Sequence, residues 1–379
     1  MVDSRSRPDS CPGAVGVHQA ADGALARVRL PGGTLTPAQV RTLAESARDL
    51  GSGEIELTSR GNVQLRAIDD PQEFAHRLSR AGLLPSQTHE RVRNILASPL
   101  TGRIGGLTDL RGVVDELDRR LCADSALAEL PGRTLFTLDD GRGDISPLGG
   151  DYGVHAVSET EVAVVLAGRD SGARIAVTDS VTVLLDAARV FLELRDEHWR
   201  LSEIPEGMER TLAALTLVPT ADPVTAFAEA RPPIGWLDQA DGDVTLGGGL
   251  PFGILDARMA EFLAAIEKPV IVTPWKSLLL CDLDEWSAEQ VVRVLAPMGL
   301  IFDENSPWLN VSACTGQPGC EKALADVRAD AREAVESGEL PEVGRRHWSG
   351  CERRCGRPRG GVTDFVATAT GTGYRVEGP

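Results

Sequence analysis

The sequence predicts an α+β protein built from a duplicated unit, and two observations support this. Residues 57–69 (LTSRGNVQLRAID) align without gaps with residues 272–284 (VTPWKSLLLCDLD). Around both segments the apolar residues change from helical to alternating spacing in the same order. A chain of 379 residues is long enough for two or three domains, or for one duplicated unit.

The first copy contains a complete set of helix signals. Thr36 is predicted to cap a helix, with Pro37 at its first position and Gln39 closing a capping box. Apolar residues at helical spacing follow, and Gly51 ends the helix. Two alternating strands are predicted next, from these residues: Ile55, Leu57, Val63, Leu65 and Ala67.

The second copy repeats this plan. Asp256 is predicted to cap a helix whose apolar side carries Met259, Phe262, Leu263 and Ile266. Residues 270–272 form the next strand. The order strand, helix, strand, strand therefore occurs twice. We expect two related half-domains that pair into one sheet.

A second, shorter duplication involves a cysteine. Residues 94–98 (NILAS) match residues 310–314 (NVSAC), so that Ser98 corresponds to Cys314. The near-identical offset of the two duplications argues that both are real. If so, only the later copy has kept a metal ligand at this position.

Four cysteines near the C-terminus form the most specific pattern in the chain. Cys314 and Cys320 have five residues between them, and Cys351 and Cys355 have three. Four converging thiolates suit a [4Fe–4S] cluster or a structural zinc ion. Zinc sites usually have shorter spacings than the first pair, which favours the cluster. Residues 321–337 are predicted to form a helix starting at Cys320, where its dipole would stabilise a negative cluster.

The net charge and the composition limit which binding partners and which cellular location we expect. The formal net charge of −17 opposes general binding to nucleic acid or to an anionic membrane. Residues 1–10 lack the apolar core of a secretory signal, and no apolar run is long enough to cross a bilayer. The odd cysteine count also argues against a disulfide framework. We therefore expect a cytoplasmic protein.

Five segments resemble the siroheme nitrite and sulfite reductase superfamily. They are TSRGNVQLR at 58–66, RNILASPLTG at 93–102, TPWK at 273–276, ACTGQPGC at 313–320 and HWSGCERRC at 347–355. They occur in family order and span most of the chain. Within the superfamily, this compact chain is most similar to the precorrin-3B synthases of aerobic cobalamin synthesis, which are also short.

This resemblance implies an α+β architecture with two ferredoxin-like half-domains and two α+β reductase-like domains. The half-domains would cover residues 1–82 and 219–302. The first reductase-like domain would cover 83–218. The second, at 303–379, would carry the cluster on Cys314, Cys320, Cys351 and Cys355.

The resemblance also implies the site residues. Arg60 and Arg93 fall on catalytic positions of the family. Substrate-binding roles are expected for these residues: Gln64, Arg66, Asn94, Arg133 and Lys276. The reductases have a Lys-x-Lys pair after a Leu-Pro step; here Arg133 replaces the first lysine and Leu135 the second. Reduction of sulfite or nitrite needs such cations, so this departure weakens the reductase interpretation.

The implied activity is an O2-dependent hydroxylation of the tetrapyrrole precorrin-3A with closure of a lactone. It would use a [4Fe–4S] cluster, a mononuclear non-haem iron, and an external electron-donor protein or NAD(P)H-linked reductase. The alternatives are a sulfite or nitrite reductase, which would also bind siroheme, and a non-enzymatic protein stapled by zinc. None of the six histidines has metal-ligand helix spacing, so the ligands of a mononuclear iron are not predicted.

Overall fold

The computed structural model describes residues 11–224, 230–338, 340, 344–369 and 373–378. The N-terminal segment in which we found no secretory signal, residues 1–10, lies outside these ranges. Among the described residues, no helix combines the length and apolar character needed to span a bilayer.

The helices of the described residues are α1 Pro37–Leu50, α2 Pro71–Arg80, α3 Arg111–Ala123, α4 Ser180–Leu194, α5 Gly207–Ala214, α6 Ala257–Ala265, α7 Glu285–Leu295 and α8 Val327–Glu336. The strands are β1 His18–Ala20, β2 Gly23–Val28, β3 Thr34–Leu35, β4 Glu54–Leu57, β5 Val63–Ile68, β6 Ile95–Ala97, β7 Phe136–Asp139, β8 Tyr152–Ala156, β9 Glu161–Leu166, β10 Arg169–Ala176, β11 Gly235–Asp238, β12 Val244–Gly248, β13 Ile254–Asp256, β14 Val270–Val272, β15 Leu278–Leu283, β16 Val311–Ala313, β17 Arg345–Ser349, β18 Val362–Ala367 and β19 Tyr374–Glu377.

The predicted helix starts are confirmed. Thr36 caps α1 in a reciprocal capping box with Gln39. Asp256 caps α6 by accepting a hydrogen bond from the Met259 backbone N–H. Both caps depend on residues at most three positions apart, so local sequence is enough to place them.

The two copies form two sheets, so the expectation of one shared sheet was wrong. The first half-domain sheet has the order β1-β2-β5-β4-β13, and the second has the order β11-β12-β15-β14-β3. Each sheet is thus completed by a short strand from the other copy: β13 pairs with β4, and β3 pairs with β14. The exchange covers one edge of each sheet, and an exposed edge is otherwise a site of unwanted pairing.

Helices α1 and α6 pack against each other. Their apolar sides share one core with both sheets, and this core includes Leu43, Leu65, Leu263 and Leu280. Since the copies share a core as well as strands, they are held as one unit. The domain boundaries at 82, 218 and 302 stay a prediction.

Two further sheets carry the remaining segments. The first α+β sheet has the order β10-β9-β8-β7-β6, and the C-terminal sheet has the order β16-β17-β18-β19. In each, three parallel strands are followed by an antiparallel one. The matching strand directions place Ser98, after β6, and Cys314, after β16, at equivalent sheet ends.

Candidate cluster and substrate site

Cys314 leaves the end of β16, where the C-terminal sheet fixes its position. Its backbone N–H donates to the Trp348 carbonyl at 2.9 Å, which continues the parallel ladder by one residue. The Gly350 N–H donates to the Cys314 Sγ at 3.2 Å. Amide donors to sulfur are a common feature around thiolate-bound clusters and raise their reduction potential.

The two cysteine pairs converge. Burial raises the pKa of the Cys355 thiol, and the neighbouring thiols of Cys314, Cys351 and Cys320 raise it further. Four thiolates held this close together need a cation to offset their negative charges. The set fits a [4Fe–4S] cluster, and it also fits zinc.

Close packing joins the two cysteine loops. The Leu324 N–H donates to the Gly350 carbonyl at 2.9 Å. A Cβ added to Gly350 would lie 2.7 Å from the Ala323 Cβ, too close for any side chain. A glycine is therefore needed just before Cys351.

The predicted helix start at Cys320 was wrong. Helix α8 begins at Val327, and Asp326 caps it by accepting from the Ala329 N–H. The preceding residues are held by other hydrogen bonds. The Leu324 N–H donates to the Gly350 carbonyl of the second cysteine loop, and the Gln317 N–H donates to the Ala325 carbonyl within the same loop. The N-terminus of α8 is therefore not at Cys320, and the predicted stabilisation of the cluster by its dipole is lost.

A group of arginines lies beside the first half-domain sheet. Burial lowers the pKa of Arg60 to about 10, and the positive charge of Arg200 adds to this effect. Burial likewise lowers the pKa of Arg29 to about 9, followed by the charge of Arg27. Buried cations whose pKa is lowered further by a neighbouring cation favour an anionic ligand.

These cations have unused hydrogen-bonding capacity. Within the described residues, no hydrogen bond or ion pair engages the guanidinium of Arg60. Arg29 is 3% exposed, and its Nη1, like the Nε of Arg27, is buried with no described hydrogen-bond partner. Buried donors without partners are rare in proteins, so these atoms point to a missing acceptor. We call these four arginines, at 27, 29, 60 and 200, the arginine cluster.

A chain of polar contacts connects the arginine cluster to the cysteines. Arg27 donates to the Gln64 Oε1 at 2.9 Å, and Gln64 donates to the buried carboxylate of Glu56. Arg328 donates both to Glu56 and to the Cys314 carbonyl. The side chain of Gln64 thus contributes to the site by orienting Arg27.

Arg66 and Arg93 are held by protein partners. Arg66 makes two hydrogen bonds of 2.8 Å to Asp22 and a third to the Gly319 carbonyl, next to Cys320. Arg93 makes two of 2.7 Å to Asp118, with a further bond to the Leu83 carbonyl. These contacts join segments of the fold, and neither guanidinium lies in the arginine cluster.

Three predicted residues remain. The Asn94 side chain bonds the carbonyls of Arg91 and Gly132 and accepts from Asn62, so it serves the loops around it. Arg133 is exposed and stacks over Trp199, 5.2 Å from the ring centroid. Lys276 lies near the cysteine loop, with its Nζ 3.8 Å from where a Cβ on Gly356 would stand.

Sequence reasoning missed four cations of the site. Arg27 and Arg29 alternate with valine at the end of β2, so they share one side of the strand; this alternation was a usable signal. Arg200 is positioned by Asp151, which accepts at 2.7 Å, and Arg359 lies close enough to Arg200 for their charges to interact. Nothing local in the sequence indicates these last two positions.

The first α+β sheet has an acidic loop where the C-terminal sheet has cysteines. The carboxylates of Asp139, Asp140 and Asp144 lie within 4.8 Å of one another. Asp139 accepts from four backbone N–H groups, and Arg142 pairs with Asp140. The loop's own contacts account for this cluster.

The chain was compared with known proteins. A family model described as "Nitrite/Sulfite reductase ferredoxin-like half domain" matches residues 18–72. A precorrin-3B synthase from Sinorhizobium sp. is 27% identical over 398 residues, covering 98% of this chain and 83% of the relative. The ferredoxin–nitrite reductase of Synechococcus elongatus is also 27% identical, over 400 residues, covering 88% and 74%.

The fold has a solved counterpart. The structure of the Mycobacterium tuberculosis NirA protein superimposes with a TM-score of 0.75, covering 94% of this chain and 73% of that one. At 19% identity this likeness establishes the shared fold alone. The duplicated architecture predicted from the sequence is confirmed.

Proposed function

We propose that this chain, an oxidoreductase whose relatives include a precorrin-3B synthase and nitrite and sulfite reductases, is itself a precorrin-3B synthase. The reaction hydroxylates precorrin-3A with O2 and closes a lactone on it. One oxygen atom of O2 enters the product. The other leaves as water, with two electrons and two protons supplied through an external donor.

The arginine cluster is the observation that carries this proposal. Precorrin-3A bears acetate and propionate carboxylates around its ring, and arginine binds carboxylates through paired hydrogen bonds. Arg29 and Arg60, with their free donors, would hold two of them. Arg200, fixed by Asp151, would add charge from another part of the chain.

The cysteine set supports a redox role. When bound, a [4Fe–4S] cluster supplies electrons one at a time. Cys314, Cys320, Cys351 and Cys355 would hold it. The contacts through Arg328, Glu56 and Gln64 keep the arginine cluster in a fixed relation to the Cys314 loop.

A siroheme-dependent sulfite or nitrite reductase is the second candidate, because reductases match at comparable identity. Leu135 argues against it. This residue is 3% exposed and packs with Leu96 and Ile145, where the reductases are expected to place a cationic lysine. An apolar, buried side chain cannot bind a small oxyanion or deliver a proton to it.

The test begins with anaerobic reconstitution with iron and sulfide, followed by addition of precorrin-3A, reductant and ¹⁸O₂. We expect a product heavier by one labelled oxygen atom. Unchanged substrate in the presence of an intact cluster contradicts the proposal. The absorption spectrum of the purified protein separates the candidates, because bound siroheme selects the reductase. One zinc ion with no iron or acid-labile sulfide selects the zinc-stapled protein.

A further inference from the structure

Lys276 occupies a backbone position whose counterpart in the first copy is a glycine. The Lys276 N–H donates to the Thr273 carbonyl, and the Gly61 N–H donates to the Thr58 carbonyl, both at 3.1 Å. The φ angles are 60° at Lys276 and 61° at Gly61. The same turn is therefore built with glycine once and with lysine once.

A lysine in this turn is strained. Side-chain-bearing residues disfavour the left-handed region, which glycine enters freely. Such strain persists where the surrounding structure enforces it, and it concentrates at functional sites. The chain has only three lysines, at positions 268, 276 and 322, so the residue type is also unusual here.

The side chain of Lys276 extends from this turn toward the cysteine loop. Its stem packs on Gly253, where an added Cβ would lie 2.7 Å from the Lys276 Cβ. Its Nζ lies 3.8 Å from where a Cβ on Gly356 would stand, and Gly356 directly follows Cys355. The ammonium is thus held close to the last cysteine of the set.

The other groups around Lys276 place its charge in a buried setting. Burial lowers the pKa of Lys276, while the carboxylate of Glu56 raises it. His347 is fully buried, and burial followed by the charge of Lys276 lowers its pKa to about 4. Arg328 also acts on Lys276, but Arg328 is paired with the Glu56 carboxylate. Lys276 therefore places a further positive charge beside the loop that carries Cys355.

We propose that Lys276 is an electrostatic partner of the cluster that favours its reduced form, and that it does not bind substrate carboxylates. This inference rests on the [4Fe–4S] cluster of the proposed function. One-electron reduction by dithionite adds one negative charge to the cluster without a proton. A fixed cation in a poorly solvated position stabilises that added charge and raises the midpoint potential.

The test is a redox titration of the reconstituted protein, followed by electron paramagnetic resonance. Lys276→Met removes the charge and keeps much of the stem, Lys276→Gly also relieves the turn, and Lys276→Arg keeps the charge. We expect Lys276→Met and Lys276→Gly to shift the midpoint potential to more negative values by similar amounts. Lys276→Arg should stay near the wild type. The matched control is Lys322→Met, which removes an exposed charge and should leave the potential nearly unchanged because water screens it.

Several outcomes would overturn the inference. If Lys276→Met and Lys276→Gly both keep the wild-type midpoint potential with full iron and sulfide content, Lys276 has no electrostatic effect on the cluster. The inference also fails if Lys276→Met binds uroporphyrin, a porphyrin octacarboxylate, more weakly at unchanged potential, since that result assigns Lys276 to substrate. If Lys276→Met loses the cluster while Lys276→Arg and Lys322→Met keep it, the cluster content of the three variants supports a requirement for a positive charge at position 276.

The proposed function fails by a separate measurement. Wild-type protein that takes up no iron and sulfide has no cluster, and the proposal for Lys276 then falls together with it. A cluster with the expected Lys276 response but no turnover of precorrin-3A leaves the inference standing and contradicts the activity.

Discussion

Ser98 and Cys314 hold equivalent positions in two related sheets. The Ser98 N–H donates to the Leu138 carbonyl at 3.0 Å, and the Cys314 N–H donates to the Trp348 carbonyl at 2.9 Å. Their side chains accept in the same way, from the Asp140 N–H at 3.1 Å and from the Gly350 N–H at 3.2 Å. The duplication thus extends to individual hydrogen bonds, while the chemistry at the two positions has diverged.

The acidic loop around Ser98 predicts a pH-dependent stability. Burial raises the pKa of Asp144 to about 7, whereas an unfolded aspartic acid titrates near 3.9. The folded protein therefore holds this proton more tightly. The resulting stabilisation is complete below about pH 4 and is lost as the pH rises to about 7. Urea unfolding across this range should show wild-type stability falling relative to Asp144→Asn.

Ser98→Ala provides the matched variant for this titration. Ser98 donates to Asp144 at 2.6 Å and lowers the pKa of that carboxyl. Without the hydroxyl, the fall in stability relative to a Ser98→Ala/Asp144→Asn double variant should extend to higher pH. Parallel pH profiles for the wild type and Asp144→Asn would contradict the raised pKa.

Arg60 and Arg93 should respond differently to substitution, although both were predicted to be catalytic. Arg60→Met removes a cation that no described carboxylate pairs with, so we expect weaker uroporphyrin binding and nearly unchanged stability. Arg93→Met leaves Asp118 unpaired beside a 5% exposed position and should cost about 3 kcal/mol of unfolding free energy. Binding titrations and urea unfolding on both variants check this. Equal loss of affinity in both would restore a substrate role for Arg93.

We expect Arg66 to help the protein keep its cluster by holding the Cys320 loop, and not to bind substrate. Arg66→Met removes the bonds to Asp22 and to the Gly319 carbonyl, at a cost of about 2 kcal/mol. The Cys320 loop would then open more readily. We predict faster loss of iron to a chelator at unchanged uroporphyrin affinity. A lower affinity at an unchanged rate of iron loss would place Arg66 in the substrate site.

Each of the four clustered cysteines should be required for the metal, while the other cysteines should not. Cys314→Ser or Cys351→Ser is expected to abolish stoichiometric iron and acid-labile sulfide after reconstitution. Cys122→Ser is the control, because burial raises the pKa of that thiol to about 11 and it lies outside the set. Full cluster content in Cys351→Ser would remove the proposed ligand set.

The sequence anticipated features that depend on neighbouring residues. The α1 cap needs only Thr36 and Gln39, three positions apart. The start of α8 could not be read in this way. Apolar spacing favoured a helix from residue 321. The hydrogen bond from Leu324 to Gly350 in the other cysteine loop, and that from Gln317 to Ala325 within the same loop, keep the segment out of the helix. Tertiary contacts override local propensity there.

The sequence also located cations without indicating their partners. Arg66 and Arg93 were identified through the resemblance, but Asp22 and Asp118 become neighbours only in the fold. Arg200 and Arg359 gave no local signal, because their place in the site comes from segments that fold back from distant parts of the chain. The sequence thus shows which residues are cationic. It does not show which cations are available to bind a ligand and which are neutralised by a carboxylate of the protein.

The exchange of β3 and β13 affects how the protein is made. During translation, β3 (Thr34–Leu35) is made long before residues 270–272, with which it pairs. Strand β4 is likewise made long before its partner strand, Ile254–Asp256. Two open strand edges persist through most of translation, and such edges promote aggregation. Until the second copy has emerged, the β4 edge therefore stays open to pairing with other chains.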